Sequence, residues 1–199
     1  MNLEIKRVFE DENEMKELFE YLNKKEIEYH KVYKRFGKPA KVPRGQASYT
    51  LDETIHYNYG VSGGSPINEI MDDTLKYITS RVNAVLNSNF NTILMNVYRL
   101  GSDKIGYHRD KEKGWVEGTG FATLSLGAER DFLIRKEHED EGGTVTTIRT
   151  THKNGTVLHL PWPMNRDYTH SVPAQMKVKG TRISLTFREI VPTVPLPSN

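Results

Sequence analysis

Two spacings in this chain place reactive side chains on one face of a strand. His108-Arg-Asp110 sets an imidazole and a carboxylate two residues apart, and side chains at that interval share a face. Such a pair is the first half of a two-histidine, one-carboxylate metal site, which leaves coordination positions open for a co-substrate and oxygen. The second spacing is Arg182-Ile-Ser-Leu-Thr-Phe-Arg188. There Arg182, Ser184, Thr186 and Arg188 alternate with Ile183, Leu185 and Phe187. The apolar set can pack beneath helices, which turns the polar set inward. Two inward arginines need anions, because a buried unpaired charge is costly. A small dicarboxylate would satisfy both, since guanidinium groups bind carboxylates bidentately. Pairing with Asp or Glu of the protein, or a place on a solvated edge, would satisfy them equally.

His-x-Asp is a weak pattern on its own, and His138-Glu-Asp140 repeats it. That copy lies in EHEDEGG, which reads as an acidic hairpin tip that cannot exclude water, so His108 and Asp110 are the better pair. The third ligand is His159, in the alternating run TVLHLP, or His170, in DYTHSVP. His170 is preferred, because a short strand just before the arginine-bearing one should lie beside Arg182 in a hairpin-built barrel. With no cysteine in the chain, thiolate metal sites, iron–sulfur clusters and disulfides are excluded.

The elements that must position these residues follow from the pattern. A chain of 199 residues with 36% hydrophobic and 27% charged residues fits one globular domain. Asp11 suits an N-cap for DENEMKELFEYLNKK, with Met15, Leu18, Phe19 and Leu22 on one face. A second helix is expected over 67–86. From Thr92 onward, short runs rich in Val, Ile, Thr, Tyr and Phe alternate with turn residues. They fall at 92–99, 105–110, 120–126, 130–136, 144–151, 156–161, 167–172 and 181–188. Asn154–Gly155 suits a two-residue hairpin between two of them. About eight short strands indicate a sandwich, jelly roll or barrel. Between Tyr29 and Leu51 there is no acidic residue, while Lys31, Lys34, Arg35, Lys38, Lys41 and Arg44 are interleaved with Tyr33, Phe36 and Tyr49. A segment of that kind can face a polyanion. No apolar run is long enough for a membrane span, and the N-terminus has no export signal. The expected location is intracellular: the nucleus in a eukaryote, the cytoplasm for a bacterial or phage-encoded protein.

The stretch Asn96–Ile190 resembles the AlkB family of iron(II)- and 2-oxoglutarate-dependent nucleic-acid dealkylases. The matching pieces are NVYRLGSDKIGYHRDKE, ATLSLGAERDFLIR, THSVP and TRISLTFREI. VPRGQASYTLDETIHYNYG is similar to the substrate lid of the eukaryotic-type DNA-repair members. The resemblance implies an α+β fold with a double-stranded β-helix (jelly-roll) core over about 92–190. N-terminal helices would pack on the sheet, a basic nucleotide-recognition lid would cover about 30–66, and 191–199 would form a loose tail. It implies that His108, Asp110 and His170 bind Fe(II). Arg182, with Tyr98 and Ser184, would hold the distal carboxylate of 2-oxoglutarate, and Arg188 and Asn96 its chelating end. O2 is the remaining co-substrate.

For the substrate, the resemblance places Tyr59 and His108 on either side of a flipped base and Tyr57 and Glu112 at its edge. Phe36, flanked by Arg35 and Lys38, would be a finger filling the gap, within a basic run that ends at Arg44. Residue type alone also allows plainer readings. Tyr57 and Tyr59 could be core or surface aromatics, Phe36–Gly37 an ordinary turn, and the basic run a solvated loop. Two departures from the family pattern stand out: Lys111–Glu112 follows the motif where some duplex-active members have Asp-Glu, and Ser184 replaces the commoner Asn. The implied activity is oxidative demethylation of 1-methyladenine and 3-methylcytosine in DNA by a monomer, releasing formaldehyde, succinate and CO2. RNA is not separated from DNA by sequence. The rival readings are a 2-oxoglutarate hydroxylase of a protein or small molecule, and a non-catalytic binder of damaged nucleic acid.

Overall fold

In strands of alternating character, one set of side chains must be buried twice over if the sheet is covered on both faces. Here that demand is met by helices on one side of a large sheet and a second sheet on the other. The computed structural model describes residues 3–29, 32–35, 38–57, 68–137 and 145–193. The elements in chain order are β1 (Glu4–Arg7), α1 (Glu12–Asn23), β2 (Glu28–Tyr29), β3 (Val32–Arg35), β4 (Lys38–Lys41), β5 (Gly45–Thr50), β6 (Asn68–Ile70), α2 (Asp73–Leu86), β7 (Thr92–Tyr98), β8 (Ile105–His108), β9 (Phe121–Gly127), β10 (Arg130–Glu137), β11 (Val145–His152), β12 (Thr156–Leu160), α3 (Trp162–Asp167), β13 (Thr169–Val172) and β14 (Arg182–Arg188).

The large sheet runs β1-β12-β9-β14-β7-β5-β2, with β6 added in parallel to β5. The small sheet runs β11-β10-β13-β8. This is the two-sheet jelly roll expected. All eight expected strand segments are present with small shifts at their ends. The largest shifts are in 105–110, which ends at His108 and leaves Asp110 beyond the strand, and in 167–172, where α3 precedes a shorter strand.

Ile183, Leu185 and Phe187 of β14, with Ile93, Met95 and Val97 of β7, pack under α1 and α2. On the opposite face, Phe121, Leu158, Leu160, Phe132 and Val172 fill the space between the sheets. Helix α1 begins where expected: the Asp11 carboxylate accepts the Glu14 N–H at 2.8 Å. Its buried Met15, Leu18 and Leu22 contribute roughly 1.5–3 kcal/mol each.

Helix α2 is shorter than the 67–86 pattern suggested. Asp72 caps it through the Leu75 N–H at 3.0 Å, and residues 68–70 are drawn into β6, which leaves Ile70 exposed. A competing backbone partner in β5 therefore outweighed the helical spacing.

Asn154–Gly155 is not a hairpin between paired strands, because β11 and β12 lie in different sheets. The turn crosses between them and is anchored to β9, where Gly155 N–H donates to Ser125 O at 2.8 Å and Asn154 Oδ1 accepts Gly127 N–H at 3.0 Å. Gly155 has φ +73°, and a Cβ there would fall 2.3 Å from Met15 Sδ, so a side chain is excluded sterically as well as conformationally.

Residues 45–50, expected within the lid, are β5 of the large sheet and are fully buried. The remaining basic strands β3 and β4 pair with each other, Arg35 opposite Lys38.

Candidate active site

A cavity of about 640 Å3 opens between the sheets. His108 ends β8, and β13 places His170 directly opposite it in register. Asp110 follows two residues beyond the strand. His108 Nε2 lies 3.5 Å and His170 Nε2 3.8 Å from Asp110 Oδ1, and all three donor atoms fall within 4.8 Å of one another. His108 Nδ1 is 2.9 Å from the Gly106 carbonyl. A carbonyl can only accept, so Nδ1 carries a proton, and Nε2 is the nitrogen turned toward Asp110. His170 is packed against Phe132 and Phe121, the Phe132 ring stacked on it at 5.5 Å. Burial, reinforced by the nearby His108, pushes its pKa down to about 3, so it is a neutral imidazole. Two imidazoles and a carboxylate around one space fit a divalent cation of the iron class.

The two oxygens of Asp110 have separate partners. Oδ1 faces the histidines, while Oδ2 accepts from Arg188 Nε at 3.1 Å and from Nη2. Burial alone would raise the Asp110 pKa. The Arg188 charge and the histidines hold it well below the usual carboxylate range. Arg188, expected to meet the chelating end of a co-substrate, thus already has a protein anion; the plainer reading of that arginine holds for this pair.

Arg182 differs. It is 1% exposed and lies against Tyr98 at 5.2 Å. Its Nε donates to Ser125 Oγ at 2.8 Å and its Nη2 to His152 Nδ1 at 3.1 Å. Nη1 is buried without a partner. No carboxylate pairs with this guanidinium among the described residues, and burial lowers its pKa to about 10. An unmatched buried N–H on a cation is the feature a ligand carboxylate would satisfy. Tyr98, Ser184 and Thr123 line the cavity at this end, with the Ser184 and Thr123 hydroxyls 2.8 Å apart.

A family model described as the 2OG-Fe(II) oxygenase superfamily matches residues 3–188. The human DNA oxidative demethylase ALKBH2 is 36% identical over 189 residues, spanning 90% of this chain and 70% of that protein. The chain belongs to this superfamily, in its AlkB family. The Arabidopsis thaliana ALKBH2 is 30% identical over 87% of this chain and 61% of its own length. Human alkB homolog 3, an alpha-ketoglutarate-dependent dioxygenase, is 30% identical over 59% and 43%. The chain spans about two thirds of the mammalian ALKBH2 proteins, 66% of the bovine one. The solved structure of OsALKBH1 superposes with a TM-score of 0.58 at 17% identity, covering 94% of this chain and 97% of that one, which supports the fold. Fe(II), 2-oxoglutarate and O2 are the cofactor and co-substrates of the superfamily.

Within this AlkB site, several residues sit differently from expectation. His170 does not neighbour Arg182 in a hairpin. It belongs to the small sheet, between β10 and β8, and faces β14 across the barrel. The rival His159 points to the helix side of β12, 6.4 Å from Phe90. Glu112, expected at the edge of a base, has both oxygens engaged: Oε1 accepts from Asn165 Nδ2 and Oε2 from Trp162 Nε1, each at 2.8 Å. Asn165 also exchanges hydrogen bonds with the Asp110 backbone in both directions, at 3.0 Å each. Arg44, expected on the substrate side, is buried and donates Nε to Asn96 Oδ1 at 2.8 Å, joined by Gln46 Nε2 at 3.1 Å. Tyr57 lines the cavity, with its hydroxyl donating to Lys111 O at 2.8 Å and accepting from Trp115 Nε1 at 2.9 Å.

Tyr59, Phe36, His138 and Asp140 lie outside the described residues. Lys38 is exposed, and Arg35 is described by its backbone in β3. Sequence reasoning missed Ser125, His152, Asn165 and Trp162. Ser125 was within reach, since Thr123 and Ser125 alternate with Leu124 and Leu126 as the residues of β14 do. The other three depend on tertiary contacts between distant segments, and their local patterns give no signal.

Proposed function

We propose that this protein is an Fe(II)/2-oxoglutarate-dependent oxidative demethylase of N-alkylated bases in DNA. The observation that carries it is a His-Asp-His cluster at the mouth of a cavity rimmed by exposed Lys104, Arg109 and Lys111. Cations at a rim attract a phosphate backbone. The names of the ALKBH2 and alkB homolog 3 relatives support the same reading.

His108, Asp110 and His170 would hold iron. Fe(II), 2-oxoglutarate and O2 together supply an oxidation that hydroxylates an N-methyl group, which then leaves as formaldehyde, with succinate and CO2 as co-products. The chain's own groups position the reactants. Arg182 Nη1 would take the distal carboxylate of 2-oxoglutarate, beside Tyr98 and Ser184. Asn96, its Oδ1 held by Arg44 and Gln46, keeps its amide N–H groups for the other end. Arg188 fixes Asp110 so that Oδ1 stays toward the histidines. The His108 side chain is 32% exposed against 6% for His170, so His108 is the ligand placed to touch a flipped base. 1-Methyladenine and 3-methylcytosine are cationic and blocked from pairing, which lowers the cost of flipping and suits aromatic surfaces. The polar network of Arg182, Arg188, Ser125 and Asn96 serves a polar co-substrate, while Phe121, Phe132 and Val172 keep water from its sides.

The test is mass spectrometry on 1-methyladenine oligonucleotides, as single-stranded DNA, duplex DNA and RNA, with Fe(II), ascorbate and 2-oxoglutarate. Loss of one methyl mass with the wild type and none with His108→Ala is the expected result. Turnover of 2-oxoglutarate with no oligonucleotide demethylated would overturn the substrate assignment.

A further inference from the structure

His152 stands in none of the roles described so far, yet it is fully buried against Arg182, whose neighbour Tyr98 lines the cavity. It closes β11, an otherwise exposed strand of the small sheet, and reaches across to β14 of the large one. Its two nitrogens have fixed partners. Nη2 of Arg182 can only donate and the Thr156 carbonyl, 3.0 Å from Nε2, can only accept. The ring is therefore neutral, with its proton on Nε2 and its Nδ1 lone pair aimed at the guanidinium. Burial, and the Arg182 charge after it, push its pKa down to about 3, in keeping with that geometry.

With Ser125 accepting from Nε and His152 from Nη2, the guanidinium is held in one plane and Nη1 is the nitrogen left over. Neither acceptor carries charge, so neither competes with a ligand carboxylate for the cation.

We propose that His152 is a positioning residue for the dicarboxylate co-substrate, acting through Arg182 to present Nη1 to the carboxylate remote from the keto group. This rests on the dioxygenase reading given above. It makes 2-oxoglutarate selectivity depend on a residue of the small sheet that touches neither metal nor co-substrate.

Calorimetry separates the two readings. The protein is loaded with Mn(II) under argon and titrated with 2-oxoglutarate and, separately, with pyruvate, which lacks the second carboxylate. His152→Leu is expected to weaken 2-oxoglutarate by about tenfold or more, the value of one hydrogen bond to a charged group, and to leave pyruvate within about twofold. His152→Asn places Oδ1 where Nδ1 was and should restore most of the affinity. His152→Gln places its amide where Nε2 was, its N–H donating to the Thr156 carbonyl, leaves Arg182 Nη2 without its acceptor, and should not. Should the leucine variant fail to fold, the Asn and Gln pair decides: equal 2-oxoglutarate affinities for the two overturn the inference. Equal affinities for wild type and the leucine variant overturn it too, as does a parallel loss of pyruvate binding. A wild type that binds no 2-oxoglutarate sinks the dioxygenase reading instead.

Discussion

The two ends of β14 solve the same problem in opposite ways. Arg182 and Arg188 leave one strand face and both are buried; Arg188 lines the cavity, while Arg182 packs on Tyr98, which lines it. Arg188 meets a carboxylate of the protein, Asp110. Arg182 meets a serine hydroxyl and a neutral histidine, with no carboxylate paired to it among the described residues. One end is electrically complete before any ligand arrives; the other becomes complete when an anion enters. Period-2 alternation revealed both arginines but could not tell them apart, because the distinction lies in partners from β9, β11 and the segment after β8.

The largest expected effect comes from Asp110→Asn. It removes a carboxylate from the cluster and leaves Arg188 as a buried cation without its anion. Demethylase activity should fall by at least about a thousandfold. The metal-free protein should also lose roughly 3–5 kcal/mol, the cost of breaking a buried pair from one side. Urea unfolding checks the second effect independently of iron. An unchanged midpoint would mean that Arg188 does not depend on Asp110.

Neutralising the arginines sharpens the contrast. Arg188→Met should destabilise by a few kcal/mol, since it strands Asp110. Arg182→Met should leave the ligand-free protein as stable as wild type or about 1 kcal/mol more so, because it removes an unmatched buried cation. It should also abolish stabilisation by 2-oxoglutarate in a thermal shift assay. If both variants lose stability equally, the two ends are not electrostatically different.

What could be read from the chain alone follows the same division. His108, Asp110 and His170 were legible, yet the ground for His170 was wrong. A hairpin beside Arg182 was expected, and the histidine instead faces His108 within the small sheet. The ligand survived the error because the resemblance did not depend on strand order. The eight core strands were legible because turn residues separate them. The start of α2 was not, because at 68–70 the helical spacing lost to pairing with β5. His152 was invisible, as it closes a solvent-facing strand whose pattern gives no reason to look inward.

Acid stability tests the Arg182 end next. The folded His152 pKa of about 3 lies below the 6.5 of an unperturbed histidine. A group depressed in this way contributes stability that is fully present above about pH 6.5 and is lost as pH falls toward 3. Wild type should lose roughly 1 kcal/mol per pH unit over about pH 6 to 4 from this residue. His152→Asn, which does not titrate, should show a correspondingly shallower slope in denaturant midpoints over that window. Parallel slopes would mean that His152 is protonated in the folded state, which its contact with Arg182 forbids.

The smallest effect concerns the mouth, where resemblance and geometry disagree. If Glu112 met the base edge, its carboxylate would have to be presented to the cavity. Instead Trp162 and Asn165 hold both oxygens, and Asn165 carries the grip on to the Asp110 backbone. Glu112 thus acts as a strut that fixes the loop bearing a metal ligand. Trp162→Phe deletes one hydrogen bond to a charged group, worth about 1.5–3 kcal/mol, and should lower Tm by a few degrees for a chain of this size. It should leave KM for a methylated oligonucleotide within about threefold, because the oxygen it frees was not a substrate contact. A tenfold change in KM with an unmoved Tm would restore Glu112 to the base edge and show that the grip seen here yields when a nucleotide binds.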